Sequence, residues 1–371
     1  MRSYVISSAN KLENIKNQWN NIYFESGTEN PFLCWEWNRL WISAFHTEGS
    51  VKVVVVEDEK EIVCIAPFAI QNNNLTFLAD KYFADYMDII IARPSSLIVQ
   101  MVMSEVLKLK GWNKLSLLVI PEFSPCLDYF ESSLTNSTFS VSKDSIYLSP
   151  FIDTTKDFDE YIASRSNGVK KELRRTKNKL DKTSEDWEFV EAQNHAEKKQ
   201  VLDALIELHL QRQGTKVSTS IFEDPKHVEF YENLVENEKI PWNIHLAGIR
   251  MDGKFVTASI SIITGNTFYY WITAFDASLG GGSVGNFHVK FLAEKCFKEG
   301  FKRLDFMGGT EAYKMRWADG SYKNYQVIAY RSLVRLCLDK TWTFIRRYLQ
   351  GLKNRSSFWN RIWVRLSKLV G

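Results

Sequence analysis

The sequence predicts an α/β (α+β) protein of two tandem domains, each a mixed, largely antiparallel sheet flanked by helices. The first observation is the length: 371 residues suit about two domains of roughly 150 residues each. The second is the composition, which is 45% apolar and 25% charged, as in a globular protein. The third is an internal repeat. We place the domains at residues 1–150 and 151–330, followed by a basic amphipathic helical tail at 331–371.

Two hairpins form the first part of the repeat. In the first half, the segments VKVVVVE, EIVCIAPFAI and LTFLAD are separated by polar turns at 58–60 and 72–74. In the second half, IHLAGIR, FVTASISII and TFYYWITAFD are separated by turns at 251–254 and 265–266. β-Branched and aromatic segments joined by short Asp, Asn and Gly turns are typical of antiparallel strands. Asp58 then corresponds to Asp252.

A helix, a glycine and another strand complete the repeat. Residues 97–110 have the apolar spacing of a helix that ends at Gly111, and WNKLSLLVI follows as a strand. Residues 287–299 behave in the same way, end at Gly300 and lead into FKRLDFM. A glycine directly after a helix is typical of a left-handed C-cap. The matched order indicates an internal duplication.

The halves differ between the third strand and the helix. The second half has a Gly-rich stretch at 280–285, whereas the first half has Pro94 before its helix. A Gly-rich turn at a helix N-terminus exposes backbone N–H groups to a phosphate, and proline removes such a donor. The second half is therefore predicted to bind a phosphate-bearing ligand, and the first half to have a degenerate form of that site.

Several segments, taken in order, resemble the GNAT acyltransferase superfamily, in particular the double-domain FemAB-like proteins and the CelD-type acetyltransferases of exopolysaccharide synthesis. They cover roughly residues 10 to 330. In the first half they are Asn30-Pro31-Phe32, Trp35, Trp37, Trp41 and Asp85-Tyr86-Met87-Asp88, and in the second half they are residues 204–210, Phe275-Asp276, Ser283-Val284-Gly285, residues 304–308, Tyr313-Lys314 and Trp317.

The resemblance implies an N- or O-acyltransferase that takes its acyl group from acetyl-CoA or another acyl-CoA as co-substrate, with no tightly bound cofactor and no metal. The implied acceptor is a sugar of a cell-envelope, capsule or exopolysaccharide precursor. One alternative is FemAB-type transfer from aminoacyl-tRNA to a peptidoglycan precursor, although no inserted helical hairpin for tRNA is apparent. Another is a non-catalytic scaffold of a glycan synthesis complex, because Gly280 stands where the general GNAT loop has a basic residue or Gln.

The candidate site residues fall into three groups. A direct attack of the acceptor on a thioester needs a base and a donor to the leaving thiol, but no enzyme nucleophile. For the catalytic roles we consider Asp276, Asp305, Tyr313 and Lys314. We expect the backbone at Ser283, Val284, Gly285 and Asn286 to bind the acyl donor. The pantetheine amides of the donor would hydrogen-bond to the strand at 267–275. The substrate-binding candidates are Trp35, Asp85, Tyr86, Lys171, Arg174, Arg175 and Glu311.

The net charge of +3 conceals two cationic segments on an acidic body. Residues 165–182 have eight basic and two acidic residues, with Val169, Leu173, Thr176 and Leu180 on one helical stripe. This segment is either a solvated helix or a helix that faces phosphates. The tail at 331–371 has ten basic residues and one acid. Its apolar stripes and tryptophans are typical of helices in the interface of an anionic membrane, or of a helix pair docked on the acidic body.

Other sequence features narrow the class of protein. Five scattered cysteines without a CxxC pair favour a reducing compartment, and neither a signal peptide nor an apolar membrane span is apparent. The string at 281–285 fits G-x-S-x-G, but no histidine follows His288, which argues against a serine hydrolase. We expect a cytoplasmic protein that can lie on the inner face of the cytoplasmic membrane. Nucleic acid is expected as a partner only in the tRNA alternative.

Overall fold

The structure is a computed structural model that describes residues 1–46, 49–79, 83–135, 139–184, 186–213, 220–279, 282–332, 336–337 and 341. Its strands are β1 (Arg2–Ile6), β2 (Val51–Asp58), β3 (Glu61–Gln71), β4 (Asn74–Phe77), β5 (Ile90–Ile91), β6 (Lys114–Pro121), β7 (Ser140–Asp153), β8 (Trp187–Glu191), β9 (Asn243–Met251), β10 (Lys254–Thr264), β11 (Thr267–Phe275), β12 (Arg303–Asp305) and β13 (Gly320–Tyr330). Its helices are α1 (Ala9–Glu13), α2 (Lys16–Glu25), α3 (Trp35–Phe45), α4 (Ser96–Lys108), α5 (Leu127–Thr135), α6 (Phe158–Ser164), α7 (Asn167–Thr183), α8 (His195–Gln213), α9 (Pro225–Glu236), α10 (Ser283–Glu299) and α11 (Ala312–Trp317).

The predicted hairpins are present in both halves. β2 pairs antiparallel with β3, and β9 pairs antiparallel with β10. The turn between β2 and β3 has positive φ at Glu59 and Lys60, and the turn between β9 and β10 has positive φ at Asp252 and Gly253. Two successive residues with positive φ match the twist of a tight hairpin. The two halves therefore repeat the same local geometry at the positions that the sequence aligns.

One continuous sheet joins the two halves. Its order is β1-β2-β3-β4-β6-β13-β7-β12-β11-β10-β9-β8, with β5 paired to β3 at one side. By position in each half, β1, β2, β3, β4, β6 and β7 correspond to β8, β9, β10, β11, β12 and β13. Replacing each strand by its counterpart gives the same order read backwards, so the topology is symmetric about the β13–β7 pair. The predicted duplication and the mixed, largely antiparallel sheet are confirmed.

The last strand of each half pairs with a strand of the other half. β7 ends the first half and pairs with β12 of the second half. β13 ends the second half and pairs with β6 of the first half. The domain boundary that we placed between residues 150 and 151 falls inside β7. Because each half supplies a central strand to the other, we expect the two halves to unfold together rather than as separate units.

A wedge opens in the second half of the sheet. β11 is parallel to β12 only over Thr267–Tyr269, and its remaining residues continue along β10 alone within the described chain. A register shift in the β10–β11 pairing places one additional residue, Trp271, in β11. In the first half, β4 already ends at Phe77. The divergence of β11 from β12 therefore leaves a long open strand edge in the second half only.

Helices α7 and α10 pack together beside this wedge. The apolar stripe predicted for residues 165–182 is confirmed, since Val169, Thr176 and Leu180 are buried. Leu180 packs with Val284 and Phe287 of α10 in one small core. The basic side chains of α7 therefore remain outside the core, close to the N-terminus of α10. Among the described residues, no helix is long and apolar enough to cross a membrane.

Candidate active site

A cleft of about 580 Å³ runs through the wedge between β11 and β12. One wall consists of the N-terminal turn of α10, and another of residues 270–273 and Phe275 of β11. A third wall combines residues 311–314 and Arg316 with Asp85 from the first half. His209 and Ile221 line it as well. The cleft is therefore built by both halves, at the place where the sheet splits.

The N-terminus of α10 is shaped by two glycines. Gly282 caps the helix in the left-handed region with φ of 102°, where most side chains are strained. Gly285 lies in the first turn, and a Cβ atom there would approach Cδ1 of Phe275 at 3.1 Å. These glycines let the helix start directly against β11. Its first N–H groups thus lie at the cleft wall, and they are the expected binding groups for a phosphate.

In the predicted donor loop, the side chains of Val284 and Asn286 already have structural contacts. Val284 is a core side chain with 1% exposure. The Asn286 side chain donates to Glu172 at 2.7 Å and accepts from the Trp317 indole N–H at 3.3 Å. Gly280 and Gly281 lie outside the described residues. Of the four predicted donor-binding residues, Ser283, Gly285 and Asn286 line the cleft, whereas Val284 does not.

Asp85 lies on the opposite side of the cleft. Its Oδ1 accepts from the backbone N–H of Gly308 at 3.2 Å. Burial raises the pKa of its carboxyl to about 6, and the Lys314 ammonium opposes that rise. A carboxyl with this pKa is ionised at pH 7 but still binds a proton readily, which suits a general base. Asp85, predicted as a substrate-binding residue, thus has the geometry and pKa of a base.

Lys314 is buried beside Asp85. It is 7% exposed, and its Nζ donates to the Gly308 carbonyl at 2.6 Å. It also forms an ion pair with Glu311 at 3.1 Å. A buried ammonium needs such partners, because burial without them is costly. Lys314 therefore links Gly308, Glu311 and Asp85 into one polar group at the cleft wall.

Asp305, predicted as a catalytic candidate, lies in the interior instead. It is 0% exposed, and Oδ1 accepts from the Tyr86 hydroxyl at 2.7 Å and from the Met307 N–H at 2.6 Å. The Tyr322 hydroxyl hydrogen-bonds to Oδ2. Burial raises the pKa of Asp305. Because these three donors occupy its oxygens and it does not line the cleft, Asp305 connects β12 to the first half rather than facing a substrate. Tyr86 belongs to the same buried group.

Other predicted residues take structural positions. Asp276 follows β11, but its Oδ1 accepts from the backbone N–H and the hydroxyl of Ser278, so it caps the 3-10 turn Ala277–Leu279. Trp35 is 3% exposed and packs edge-on against Trp19 with ring centroids 5.4 Å apart. Neither lines the cleft. Tyr313 does, together with Lys314 and Glu311.

A second pocket of about 460 Å³ adjoins the cleft, and both are lined by Glu172 and Ser283. Lys171, Arg175 and Lys179 of α7 line it. Among the described residues, Lys171 and Arg175 form no ion pair, while Glu172 is paired with Arg316 at 2.6 Å. The pocket is therefore cationic and lies next to the N-terminus of α10. Arg174, the third predicted basic residue of this helix, is exposed and outside the pocket.

Ile221, Glu172 and Arg316 line the cleft as well, although the sequence did not single them out. His209 and Trp271 also line it, and they lie in segments that the sequence indicated only as part of the resemblance and as a strand. His288 of α10 is 0% exposed and lies between the hydroxyls of Thr257 and Ser259. Burial lowers its pKa to about 3, so it is neutral and belongs to the core.

Residues 167–315 match the family model of the acetyltransferase (GNAT) domain. The chain has a GNAT-type acetyltransferase domain. The match begins at α7, ends in α11 and so includes the residues of β11 and α10 that line the cleft. Among curated proteins, none matches the sequence.

Solved structures share this fold over most of the chain. FemX is 11% identical with a TM-score of 0.56, and the superposition covers 91% of this chain and 98% of FemX. The C-terminal domain of a putative lysylphosphatidylglycerol synthetase from Agrobacterium fabrum is 11% identical with a TM-score of 0.55, covering 89% and 95%. A tandem GNAT protein from the clavulanic acid biosynthesis pathway is 10% identical with a TM-score of 0.50, covering 88% and 98%. The predicted tandem GNAT fold is confirmed, and the narrower resemblance to FemAB-like and CelD-type proteins stays a prediction.

Proposed function

We propose that the protein is an N- or O-acyltransferase that moves an acetyl or other short acyl group from acyl-CoA to a sugar of a cell-envelope, capsule or exopolysaccharide precursor. The observation that carries the proposal is the cleft through the β11–β12 wedge. It has a helix N-terminus on one side and the Asp85 carboxyl on the other. An acyl donor bound at the α10 side would therefore have its thioester in the wedge, next to an acceptor bound at the Asp85 side.

The donor would lie along β11. The amides of its pantetheine arm can pair with the open edge of β11 beyond Tyr269, as an added strand does. Its diphosphate would accept from the N–H groups at the start of α10. The cationic pocket formed by Lys171, Arg175 and Lys179 would hold further phosphate charge. These side chains supply the positive charge that Gly280 does not.

The transfer step needs one base and one acid. The acceptor nitrogen or oxygen attacks the thioester carbonyl carbon, and Asp85 takes the proton that this atom loses. The C–S bond then breaks, the acyl group stays on the acceptor, and the thiolate leaves. We assign its protonation to the Tyr313 hydroxyl, which lines the same cleft. No covalent bond to the enzyme is formed, because the cleft holds donor and acceptor together.

Lys314 acts as a positioning residue in this proposal. It hydrogen-bonds the carbonyl of Gly308, whose N–H holds Asp85, so it fixes the backbone that orients the base. Its charge also keeps the pKa of Asp85 near 6 against the effect of burial. Both effects favour an ionised base at neutral pH.

Two alternatives remain for the same cleft. Transfer from aminoacyl-tRNA is also compatible with the likeness to FemX, which concerns the fold. A non-catalytic scaffold would retain the cleft without turnover. The sugar acceptor, the envelope role and a membrane-associated location follow from the resemblance and from the tail. Most of the tail at 331–371 lies outside the described residues.

Calorimetry with the full-length chain separates these functions. We expect acetyl-CoA to bind with one site per chain, and Gly285→Val to abolish binding because its side chain would collide with the Phe275 ring. Ala277→Val, in the exposed turn after β11, is the matched control and should bind as the wild type does. Unchanged affinity in Gly285→Val would refute the site. Binding of charged tRNA without binding of acetyl-CoA would favour aminoacyl transfer, and binding without acyl transfer to any envelope sugar would favour a scaffold.

A further inference from the structure

A separate cavity of about 280 Å³ lies between the two halves, outside the cleft. It is lined by residues 26–30 and Leu33 of the segment after α2, by the segment around Phe123 after β6, and by Tyr269 and Arg303 of the second half. The buried Tyr86 forms part of its wall and hydrogen-bonds to Asp305.

The topology relates this cavity to the acceptor side of the cleft. In the second half, His209 and Ile221 between β8 and β9 line the cleft, together with residues 311–314 and Arg316 after β12. In the first half, residues 26–30 and Leu33 between β1 and β2 line the cavity, together with residues 123–125 after β6. The first turn of α4, which corresponds to the donor-binding turn of α10, lines neither. The cavity thus repeats the acceptor side of the cleft without its donor side.

Arg303 lines this cavity, and its charge acts on the carboxyls of Asp153 and Asp305, whose pKa values it lowers. Its guanidinium lies 4.7 Å from the ring centroid of Phe151 and 5.8 Å from that of Tyr322. It has neither an ion pair nor a hydrogen bond to any residue that the structure describes. A half-buried guanidinium held by aromatic rings keeps its N–H fork available for a planar oxyanion.

The two carboxyls of the cavity are occupied or neutralised. Glu29 accepts from the Thr267 hydroxyl at 2.8 Å and from the Asn266 N–H at 3.2 Å. Burial raises the pKa of Asp88 to about 7, so at neutral pH its carboxyl can either donate a proton or accept a hydrogen bond. The cavity therefore offers one cation, one anion and one group that donates or accepts.

We propose that this cavity is a second, non-catalytic binding site for a small carboxylate, with Arg303 as the residue that binds it. The volume corresponds to about nine water molecules at ~30 Å³ each, so the ligand, or the part of it that enters, has about that many non-hydrogen atoms. A singly charged carboxylate fits better than a phosphate, because a second negative charge would face Glu29.

The test uses the full-length protein and trifluoroacetate, observed by ¹⁹F NMR, with trifluoroacetamide as the neutral match. We expect trifluoroacetate to bind in the millimolar range and the amide not to bind. Arg303→Gln should weaken binding tenfold or more. Arg250→Gln, which removes an exposed arginine paired with Glu188, should leave it unchanged. Arg303→Lys keeps the charge but not the fork of N–H donors, so we expect it to bind trifluoroacetate more weakly than the wild type. This variant replaces Arg303→Gln in the test if Arg303→Gln does not fold.

Two further arms locate the site. Saturating acetyl-CoA should not displace trifluoroacetate, since the cavity is separate from the cleft. This outcome is independent of whether the protein proves to be an acyltransferase. Displacement by acetyl-CoA, or equal binding by wild type and Arg303→Gln, would overturn the assignment to Arg303. Stronger competition by inorganic phosphate than by acetate would overturn the assignment to a carboxylate.

Discussion

Asp85→Asn should make the protein less active and more stable. The substitution removes the proposed base, and loss of a general base typically lowers kcat by about 10²- to 10⁴-fold. It also removes a carboxyl whose pKa rises from 3.8 to about 6 on folding. At about 1.4 kcal/mol per pKa unit, ionising this buried group costs the folded state ~3 kcal/mol at pH 7. The Asn side chain can keep the hydrogen bond from Gly308, but its amide N–H groups need new partners. The free energy of unfolding should therefore increase by about 1–3 kcal/mol.

The sign of the pH dependence follows from the raised pKa. In the wild type, ionisation of Asp85 destabilises the fold above about pH 6, and this cost disappears as the pH falls below about 4. Asp85→Asn should therefore be the more stable protein at pH 7 to 8, with a difference that vanishes near pH 4. Urea unfolding followed by circular dichroism at a series of pH values measures this difference.

Asp276→Asn is the matched control for this prediction. It changes a carboxyl to an amide at a turn that caps residues 277–279, outside the cleft. We expect its kcat to stay within a few-fold of wild type and its stability to fall by about 1 kcal/mol. Asp85 is not the base if Asp85→Asn keeps its activity, and its carboxyl is not destabilised by burial if the variant is no more stable than the wild type at any pH.

Three further predictions follow from the same geometry. Lys314→Met removes the cation that lowers the pKa of Asp85, so the acidic limb of the kcat/KM pH profile should move upward by about one pH unit or more, and an unmoved limb would contradict this role. The double variant of Lys171 and Arg175 to Gln should weaken acetyl-CoA binding in calorimetry by about tenfold, or ~1.4 kcal/mol, whereas Arg174→Gln should not; equal effects would mean a general charge effect instead of a pocket. A chain that ends at Arg331 should lose flotation with anionic liposomes that the full-length chain shows, and equal flotation would exclude the tail as the anchor.

Local features of the fold could be predicted from the sequence. The turns at Asp58 and Asp252 and the buried stripe of α7 depend on neighbouring residues, so spacing and residue type were sufficient. The exchange of β7 and β13 between the halves could not be predicted, because it pairs strands that are far apart in the chain. For this reason a boundary chosen between two similar halves falls inside β7.

The candidate site also has features that the sequence predicts and features that it does not. The Gly-rich turn before α10 could be predicted because its chemistry is local. The proposed role of Asp85 as a base could not be predicted, because the pKa of its carboxyl depends on burial and on Lys314, which the topology brings from the other half. Asp276 and Trp35 are residue types that often occur in active sites. The structure shows instead that Asp276 hydrogen-bonds to Ser278 and that Trp35 packs against Trp19. Arg303 cannot be singled out from the sequence, because the sequence does not show which basic residues lie in a cavity without an ion pair.

Hydrogen exchange with and without acetyl-CoA tests whether the second half alone holds the donor, in the β11–β12 wedge. We expect acetyl-CoA to slow the exchange of the amides in residues 270–275 of β11 and 283–286 of α10. We expect no change in β4 or in the first turn of α4, which correspond to them in the first half. Protection in the first half, or binding without protection of either second-half segment, would contradict donor binding in this wedge.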